Sequence, residues 1–512
     1  MCSISGIVSS KIDKSKIFEM IDSQKHRAPD DQGTYTDKFI SIGMGRLKII
    51  DLVTKNLNPL ESSRYVMAYN GEIYNYKELK SELMFMGYNF FSTSDTEVLF
   101  KSWEEWGLKL FEKLNGMYAF AIYDKLKKKI YLARDIAGEK PLYYYYNGKD
   151  FLFASEAKAI KKILDLELNN NNEFYNSFQY CLEKTLWKNL NQIKPANYLV
   201  YDIKTNRIQV NEYWKFKKRK IYKKEISEEL EFLLEDSLKL RLRSDVKLGI
   251  YLSGGVDSSL LALLHKFDYK FHFDDRKNYL NDFQKKISKI VHHLDFPVGS
   301  LSSYPLFMLA QKAKNKVKVI ISGEGADELF GGYVRYLPIA LKYNLSKNFP
   351  SYRLMFNRVM NFNYCAIYSK LIIKNNNYSL GYNLFKPIFE MFDDPINAMG
   401  FIDFKYVMPS LLQMGDRMAS AFGIENRCPY LDKRLIEFAF SLPSEEKIDN
   451  FYQKKLLRNM LLKKGLHTLA CVEKKGLIFN FKNWHNKKDQ SRIKYFKLLN
   501  KTWKSNKNFA VN

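Results

Sequence analysis

The chain has 512 residues, 46% hydrophobic and 27% charged, a globular composition that excludes a disordered or fibrous repeat protein and, by its length, a single small core. Its net charge of +26 comes from 82 Lys and Arg against 56 Asp and Glu, but the lysines are scattered, and runs such as 127–129 and 217–220 read as solvated faces rather than a nucleic-acid surface, with no zinc-finger, RNP or helix-turn-helix pattern beside them. The absence of a long apolar run and of a secretory leader points to a cytoplasmic protein without a membrane span, and five dispersed cysteines (Cys2, Cys181, Cys365, Cys428, Cys471) make no disulfide framework.

The first third reads as short β segments at 41–47, 65–69, 118–123, 129–133, 141–146 and 151–155, separated by turn residues. Helical periodicity interrupts them at 77–86 and 96–106. A layered all-strand or α+β domain follows from that alternation. After Tyr213-Trp214 a basic stretch, 215–224, marks a domain boundary, because an amphipathic helix then begins near Ser227 with Leu230, Leu233, Leu234 and Leu238 on one face. The pattern turns to apolar strand (247–252), Gly-rich turn and helix (258–265), and a second apolar strand at 317–321 also ends in a Gly-rich turn. That succession is the signature of a parallel α/β sheet. Residues 335–406 are helical and aromatic-rich and carry no motif.

The first turn, Leu252-Ser253-Gly254-Gly255-Val256-Asp257-Ser258-Ser259, joins a strand to a helix, a geometry in which backbone N–H groups and a helix N-terminus bind an anion. Glycines let the backbone approach closely, Ser258 and Ser259 offer hydroxyls, and Asp257 can hold a magnesium ion. No Gly-Lys-Ser/Thr follows, so this is not a Walker loop. The octet resembles the pyrophosphate loop of enzymes that cleave ATP to AMP and pyrophosphate. The second turn, Ser322-Gly323-Glu324-Gly325-Ala326-Asp327-Glu328-Leu329-Phe330-Gly331-Gly332-Tyr333, falls at the carboxyl edge of the same sheet, where open α/β folds place ligands. Its acidic residues need a bridging cation beside a triphosphate, which makes Asp327 a magnesium partner for Asp257.

Together with Met414-Gly415-Asp416-Arg417-Met418-Ala419, Glu425-Asn426-Arg427-Cys428-Pro429-Tyr430-Leu431-Asp432 and Lys474-Lys475-Gly476, the two turns resemble the synthetase domain of glutamine-hydrolysing asparagine synthetases. In the first third, Cys2-Ser3-Ile4-Ser5-Gly6-Ile7, His26-Arg27-Ala28-Pro29-Asp30, Arg46-Leu47-Lys48-Ile49-Ile50-Asp51, Asn70-Gly71-Glu72-Ile73-Tyr74-Asn75 and Ser94-Asp95-Thr96-Glu97 resemble a class II glutaminase. The resemblance implies an α+β N-terminal-nucleophile glutaminase domain of αββα layers at 2–214, then an α/β parallel-sheet ATP-pyrophosphatase domain at 225–490. It implies Cys2 as nucleophile, and a Cys2 thiol freed of Met1 has its own α-amino group as general base. Asn70 and Gly71 would hold the oxyanion. Arg46, Leu47, Ile49, Asn70, Gly71, Glu72 and Asp95 would bind glutamine, Arg46 through the α-carboxylate and Glu72 and Asp95 through the α-ammonium. In the second domain Leu252, Ser253, Gly254, Gly255, Asp257, Ser258, Ser259, Ser322 and Gly323 would bind ATP, Asp257 and Asp327 magnesium, Glu324 would act at the aspartyl-AMP intermediate, and Lys474 on the leaving pyrophosphate.

The expected reaction is a ligase step that makes asparagine from aspartate, ATP and glutamine, with ATP and Mg2+ as cofactors; a homodimer is compatible with the sequence. The rivals are amidation of another carboxylate, such as a sugar uronic acid of a cell-surface polysaccharide, and a degenerate binding protein without catalysis. A tRNA-modifying enzyme would share the pyrophosphate loop but does not require the glutaminase. The chain departs from the family pattern at Ser3 and Ala28, where family members have Gly, positions expected to need backbone angles that favour glycine. It also departs at 260–293, where a central strand is expected to be reduced at best to Lys270-Phe271-His272-Phe273; either another segment fills the gap, or the sheet keeps unpaired backbone groups and the domain binds ATP poorly.

Overall fold

The computed structural model describes residues 1–55, 57–169, 183–274, 279–295, 300–348, 363–372, 378–449, 452–473, 498 and 501–502. Among them sixteen strands, numbered in chain order, make three sheets.

The N-terminal part contains two antiparallel sheets. One has the order β10-β8-β9-β1-β3-β2, from β1 (Ser3–Val8), β2 (Asp31–Thr36), β3 (Ser41–Arg46), β8 (Tyr143–Tyr146), β9 (Phe151–Ala154) and β10 (Leu190–Gln192). The other has the order β12-β11-β7-β6-β5-β4, from β4 (Leu60–Glu61), β5 (Tyr65–Ile73), β6 (Gly116–Asp124), β7 (Lys129–Arg134), β11 (Asn197–Asp202) and β12 (Arg207–Glu212). Alternation along each strand sends successive side chains to opposite faces. Ile4, Val8, Ile42 and Met44 of the first sheet therefore share one buried cluster with Val66, Ala68, Phe120 and Ile122 of the second. Ile7, Leu152 and Ala154 turn the other way, onto the helices Ile17–Asp22 and Ala157–Ile163. The helices Tyr76–Phe85 and Asp95–Trp106 cover the second sheet through Leu79, Leu83, Val98 and Trp103. The result is the α/β/β/α layering expected of the glutaminase fold.

The C-terminal part holds a parallel sheet of order β14-β13-β15-β16, from β13 (Leu248–Tyr251), β14 (Tyr269–Phe271), β15 (Val319–Ile321) and β16 (Glu425–Arg427). Ile250 and Ile321 point to one face, against Leu230, Leu234, Val256 and Leu260. Tyr251, Phe271 and Ile320 point to the other, against the helices Leu280–Leu294, Ser303–Ala313 and Met408–Ser420. Helices on both faces of a short parallel sheet are the expected α/β arrangement. The helix Ile226–Arg241 buries Leu230, Leu233, Leu234 and Leu238 as its periodicity requires.

The expectation of a damaged sheet is corrected. Tyr269, Lys270 and Phe271 pair in register with Gly249, Ile250 and Tyr251, and Leu252 N–H donates to Phe271 O at 2.9 Å. The short segment forms an edge strand rather than a central one, so β13 is paired on both sides and three residues suffice.

The two parts share a core. Val319 and Leu248 of the parallel sheet join the cluster of the antiparallel sheets, while Ile7, Met20 and Ala157 pack with Met414, Met418 and Ile424. A charged network crosses the same seam. Arg27 Nη1 donates to Glu156 Oε1 at 2.7 Å and to Asp416 Oδ2 at 3.1 Å, and Arg417 pairs with Glu156 at 2.5 Å and with Asp295 at 3.0 Å. Lys158 bridges Glu156 and Asp295 at 2.6 and 3.2 Å.

Candidate active sites

Cys2 lies immediately before β1, buried, with its N–H 3.0 Å from Asn70 Oδ1 and its carbonyl accepting from Arg27 Nε at 2.9 Å. Burial pushes its thiol pKa up, and the Leu47 N–H and the Arg46 charge oppose that rise. Leu47 and Ile49 are buried in the same cluster as Cys2. Asn70 and Glu72 stand two apart on β5 and therefore face the same way. Asn70 Nδ2 is buried and has no hydrogen-bond partner. Gly71 between them admits no side chain: a Cβ would come within 2.1 Å of Met117 O.

Glu72 accepts from Arg427 Nη2 at 2.8 Å through Oε2, and its Oε1 is buried without a partner. Asp95, at the start of a helix capped by Ser94, accepts from Tyr69 Oη at 2.8 Å and Ile73 N–H at 3.1 Å. Burial raises the pKa of both carboxyls, and at Glu72 the Asp95 charge raises it further. Arg46 donates to the carbonyls of Thr54, Ile50 and Asp51 at 3.1, 2.9 and 2.8 Å, so its guanidinium braces the loop that carries Leu47 and Ile49.

Ser3 and Ala28 do not occupy left-handed backbone, since neither is among the positive-φ residues. The expectation that these sites require glycine angles is therefore corrected. Their side chains meet over Gly45, which pairs with Ser3 across β1 and β3. A Cβ there would strike Ser3 Oγ at 2.6 Å and Ala28 Cβ at 2.8 Å. The space that glycines would leave near Cys2 is filled by two small side chains packed over a third position that must stay glycine.

In the second site, β13 and β15 are parallel neighbours, so the turns that follow them emerge side by side. Contact is close: a Cβ on Gly323 would lie 3.0 Å from Asp257 Cβ and 3.3 Å from Ser258 N. Gly254 has φ +75° with open space around it, a conformation that exposes its backbone. Ser253 N–H donates to Ser258 Oγ at 3.3 Å, and the two hydroxyls lie 3.1 Å apart. Gly255 caps the helix Val256–Leu264, and Ser259 N–H closes its first turn on Gly255 O at 3.1 Å. Ser322 N–H donates to Arg427 O at 3.0 Å.

Asp257 and Asp327 converge on Lys454, whose Nζ lies 2.5 Å from Asp257 Oδ2 and 2.6 Å from Asp327 Oδ1. Two carboxylates that can contact one cation fit magnesium, which takes one or two protein carboxylates and completes its shell with phosphate and water. Lys454 has φ +57° and belongs to no motif read in the sequence. Glu324 Oε2 accepts from Asn426 Nδ2 at 3.1 Å and from Cys428 Sγ at 3.6 Å. Its pKa is raised to about 7, chiefly by burial. Lys474 lies outside the described residues.

Arg27, Asp416, Asn426 and Arg427 lie inside motifs legible in the sequence, whereas Glu156 and Lys454 lie in none. A buried charge signals a partner, but the partner is remote in sequence.

A family model described as a glutamine amidotransferase domain matches residues 1–214, and one described as asparagine synthase matches residues 229–272 and 277–488. A Methanocaldococcus jannaschii relative is 34% identical over 396 residues, covering 66% of this chain and 76% of the relative. Asparagine synthetase (glutamine-hydrolysing) 1 of Bacillus subtilis is 31% identical over 532 residues, covering 90% of this chain and 84% of the relative. Asparagine synthetase (glutamine-hydrolysing) 3 of the same organism is 28% identical with the same coverages, 90% and 84%.

Proposed function

We propose a function from one premise: this chain belongs to the glutamine-hydrolysing asparagine synthetase family. Its reaction is the transfer of the glutamine amide nitrogen to the β-carboxylate of aspartate, with ATP cleaved to AMP and pyrophosphate.

In the first step, Cys2 freed of Met1 attacks the glutamine amide. Because burial holds the thiol protonated, a neighbouring base must take the proton, and the Cys2 α-amine is that base. Arg27 on the Cys2 carbonyl keeps the residue in register. The S–C bond forms as negative charge builds on the amide oxygen, and Asn70 Nδ2 with the Gly71 N–H receives it. Ammonia leaves, and water cleaves the thioester to glutamate. Arg46 takes the substrate α-carboxylate in place of loop carbonyls, while Glu72 Oε1 and Asp95 take its ammonium.

In the second step, the aspartate β-carboxylate attacks the α-phosphorus of ATP and pyrophosphate leaves. Backbone N–H groups of the turn from Leu252 to Gly255, with Ser258 and Ser259, orient the phosphates, and Ser322 and Gly323 wall the nucleotide from the adjacent strand end. Asp257 and Asp327 would hold magnesium, which neutralises phosphate charge when bound. Lys454 supplies a cation at the same place, and Lys474 a second. Ammonia attacks the acyl-adenylate, AMP leaves, and Glu324, whose pKa burial raises to about 7, accepts the proton shed by nitrogen.

The observation that carries this reading is the unpartnered Asn70 Nδ2 beside Cys2. A buried donor without an acceptor costs stability unless a ligand supplies one. The test incubates the protein with ATP, magnesium, aspartate and amide-15N glutamine beside a Cys2→Ala variant given ammonia. Labelled asparagine with AMP, and a variant active on ammonia alone, are the expected products. Glutamate without AMP would replace aspartate by another acceptor carboxylate.

A further inference from the structure

We infer that Arg427 is the positioning residue through which the synthetase half sets the glutamine site: its guanidinium fixes one oxygen of Glu72 and leaves the other aimed at the substrate ammonium. The inference rests on the glutaminase reading given above.

β16 consists of Glu425, Asn426 and Arg427, three polar residues, all buried. Strand alternation divides them between two sites. Asn426 Nδ2 reaches Glu324 in the synthetase site. Arg427 and Glu425 face the other way, into the glutaminase. There Arg427 Nε donates to Glu425 Oε1 at 2.9 Å and Nη2 to Glu72 Oε2 at 2.8 Å, while Nη1 donates to the carbonyls of Arg241 and Arg243 at 2.9 and 2.7 Å. Three nitrogens tied to four acceptors leave the guanidinium one orientation, which the planar fork of arginine permits and a lysine ammonium does not. The Arg427 carbonyl meanwhile accepts from Ser322 N–H, the first residue of the second nucleotide turn. One residue thus touches the glutamine site with its side chain and the nucleotide turn with its backbone.

Glu72 needs this partner. It is faced by Asp95 from the helix Asp95–Trp106, by Glu425 and Arg427 from β16, by the chain's amino group, by the Tyr69 phenol from its own strand and by the Tyr76 phenol from the helix Tyr76–Phe85. Burial, then the Asp95 and Glu425 charges, push it toward the neutral form, and the Arg427 charge opposes them. A protonated Glu72 would not attract an ammonium group.

The experiment measures alkylation of Cys2 by 6-diazo-5-oxo-L-norleucine, a glutamine analogue that keeps the α-amine and α-carboxylate. Intact mass follows labelling between pH 6 and 9 in the wild type, Arg427→Met, Arg427→Lys, Glu72→Gln and the Met/Gln double variant. Arg427→Met is expected to label at least tenfold more slowly, with the acidic limb of its pH profile moved up by about one unit. Arg427→Lys should recover part of the rate, and the double variant should label no more slowly than Glu72→Gln alone. Loss of packing would not move a pH limb. A wild-type rate in Arg427→Met, or a slower rate with an unmoved limb and additive losses, overturns the inference. Should Arg427→Met fail to fold, the same limb shift, smaller, is required of Arg427→Lys. A wild type that is not labelled overturns the glutaminase reading itself, and this inference with it.

Discussion

Replacing Glu324 by Gln should remove a defined piece of the protein's pH dependence. The Glu324 pKa is raised from 4.5 to about 7, first by burial and then by the Glu328 charge, against hydrogen bonds from Cys428 and Asn426. Between those two values the folded state holds a proton that the unfolded chain has released, so stability is full below pH 4.5 and falls as pH rises to about 7. At 1.36 kcal/mol per unit the loss is about 3 kcal/mol, which partial solvent access at the turn reduces to about 2 kcal/mol. Gln keeps the shape and an acceptor for Asn426 but does not titrate. Glu328, also raised to about 7 by burial and the Asp327 charge, interacts with Glu324 through its charge, so the difference between the two proteins reports the titration of the pair. Calorimetry at pH 5 and pH 8.5 should therefore find Glu324→Gln more stable than the wild type at the higher pH, by roughly 4–8 °C in Tm for a domain of this size, and matched to it at the lower. Equal pH slopes for the two proteins would refute the raised pKa of the buried Glu324 carboxyl.

Asn70→Ala should lower kcat for glutamine hydrolysis by about 10²–10³-fold, the loss of one oxyanion donor, measured as glutamate release. Lys454→Met leaves Asp257 and Asp327 facing each other and should cost about 2 kcal/mol, their partial exposure moderating the repulsion. Millimolar Mg2+ should restore the melting temperature of that variant while moving the wild type little, and an equal Mg2+ response in both proteins would contradict the convergence of the two carboxylates. Arg27→Met strips Glu156 and Asp416 of a buried partner and should cost about 3–5 kcal/mol, with urea unfolding resolved into two transitions as the seam weakens before either half. Ala28→Gly should lose about 0.5–1 kcal/mol without any gain in glutamine turnover, since Ala28 has no left-handed backbone to relieve.

Much of this protein is legible in local sequence. The Gly-rich turns at 252–255 and 322–325, the apolar strands before them and the leucine face of the helix Ile226–Arg241 obey short-range rules: glycines where the chain turns sharply, a period of two in strands, a period near four in helices. The order of the motifs identified the family and the αββα and parallel-sheet architectures. Other features were decided by contacts remote in the chain. β16 is a buried strand spelled Glu-Asn-Arg, which no apolar pattern reveals, because its charges are satisfied by Glu72 and by the carbonyls of 241 and 243 from more than a hundred residues away. The rank of β14 as an edge strand, which makes three residues enough, is a property of sheet order and not of the segment. Lys454 lacks a motif because its role comes from the two carboxylates it meets. Local sequence specifies backbone conformation and which side chains avoid water, whereas the pairing of buried charge depends on which segments the fold brings within three ångströms, and only the assembled tertiary structure determines that.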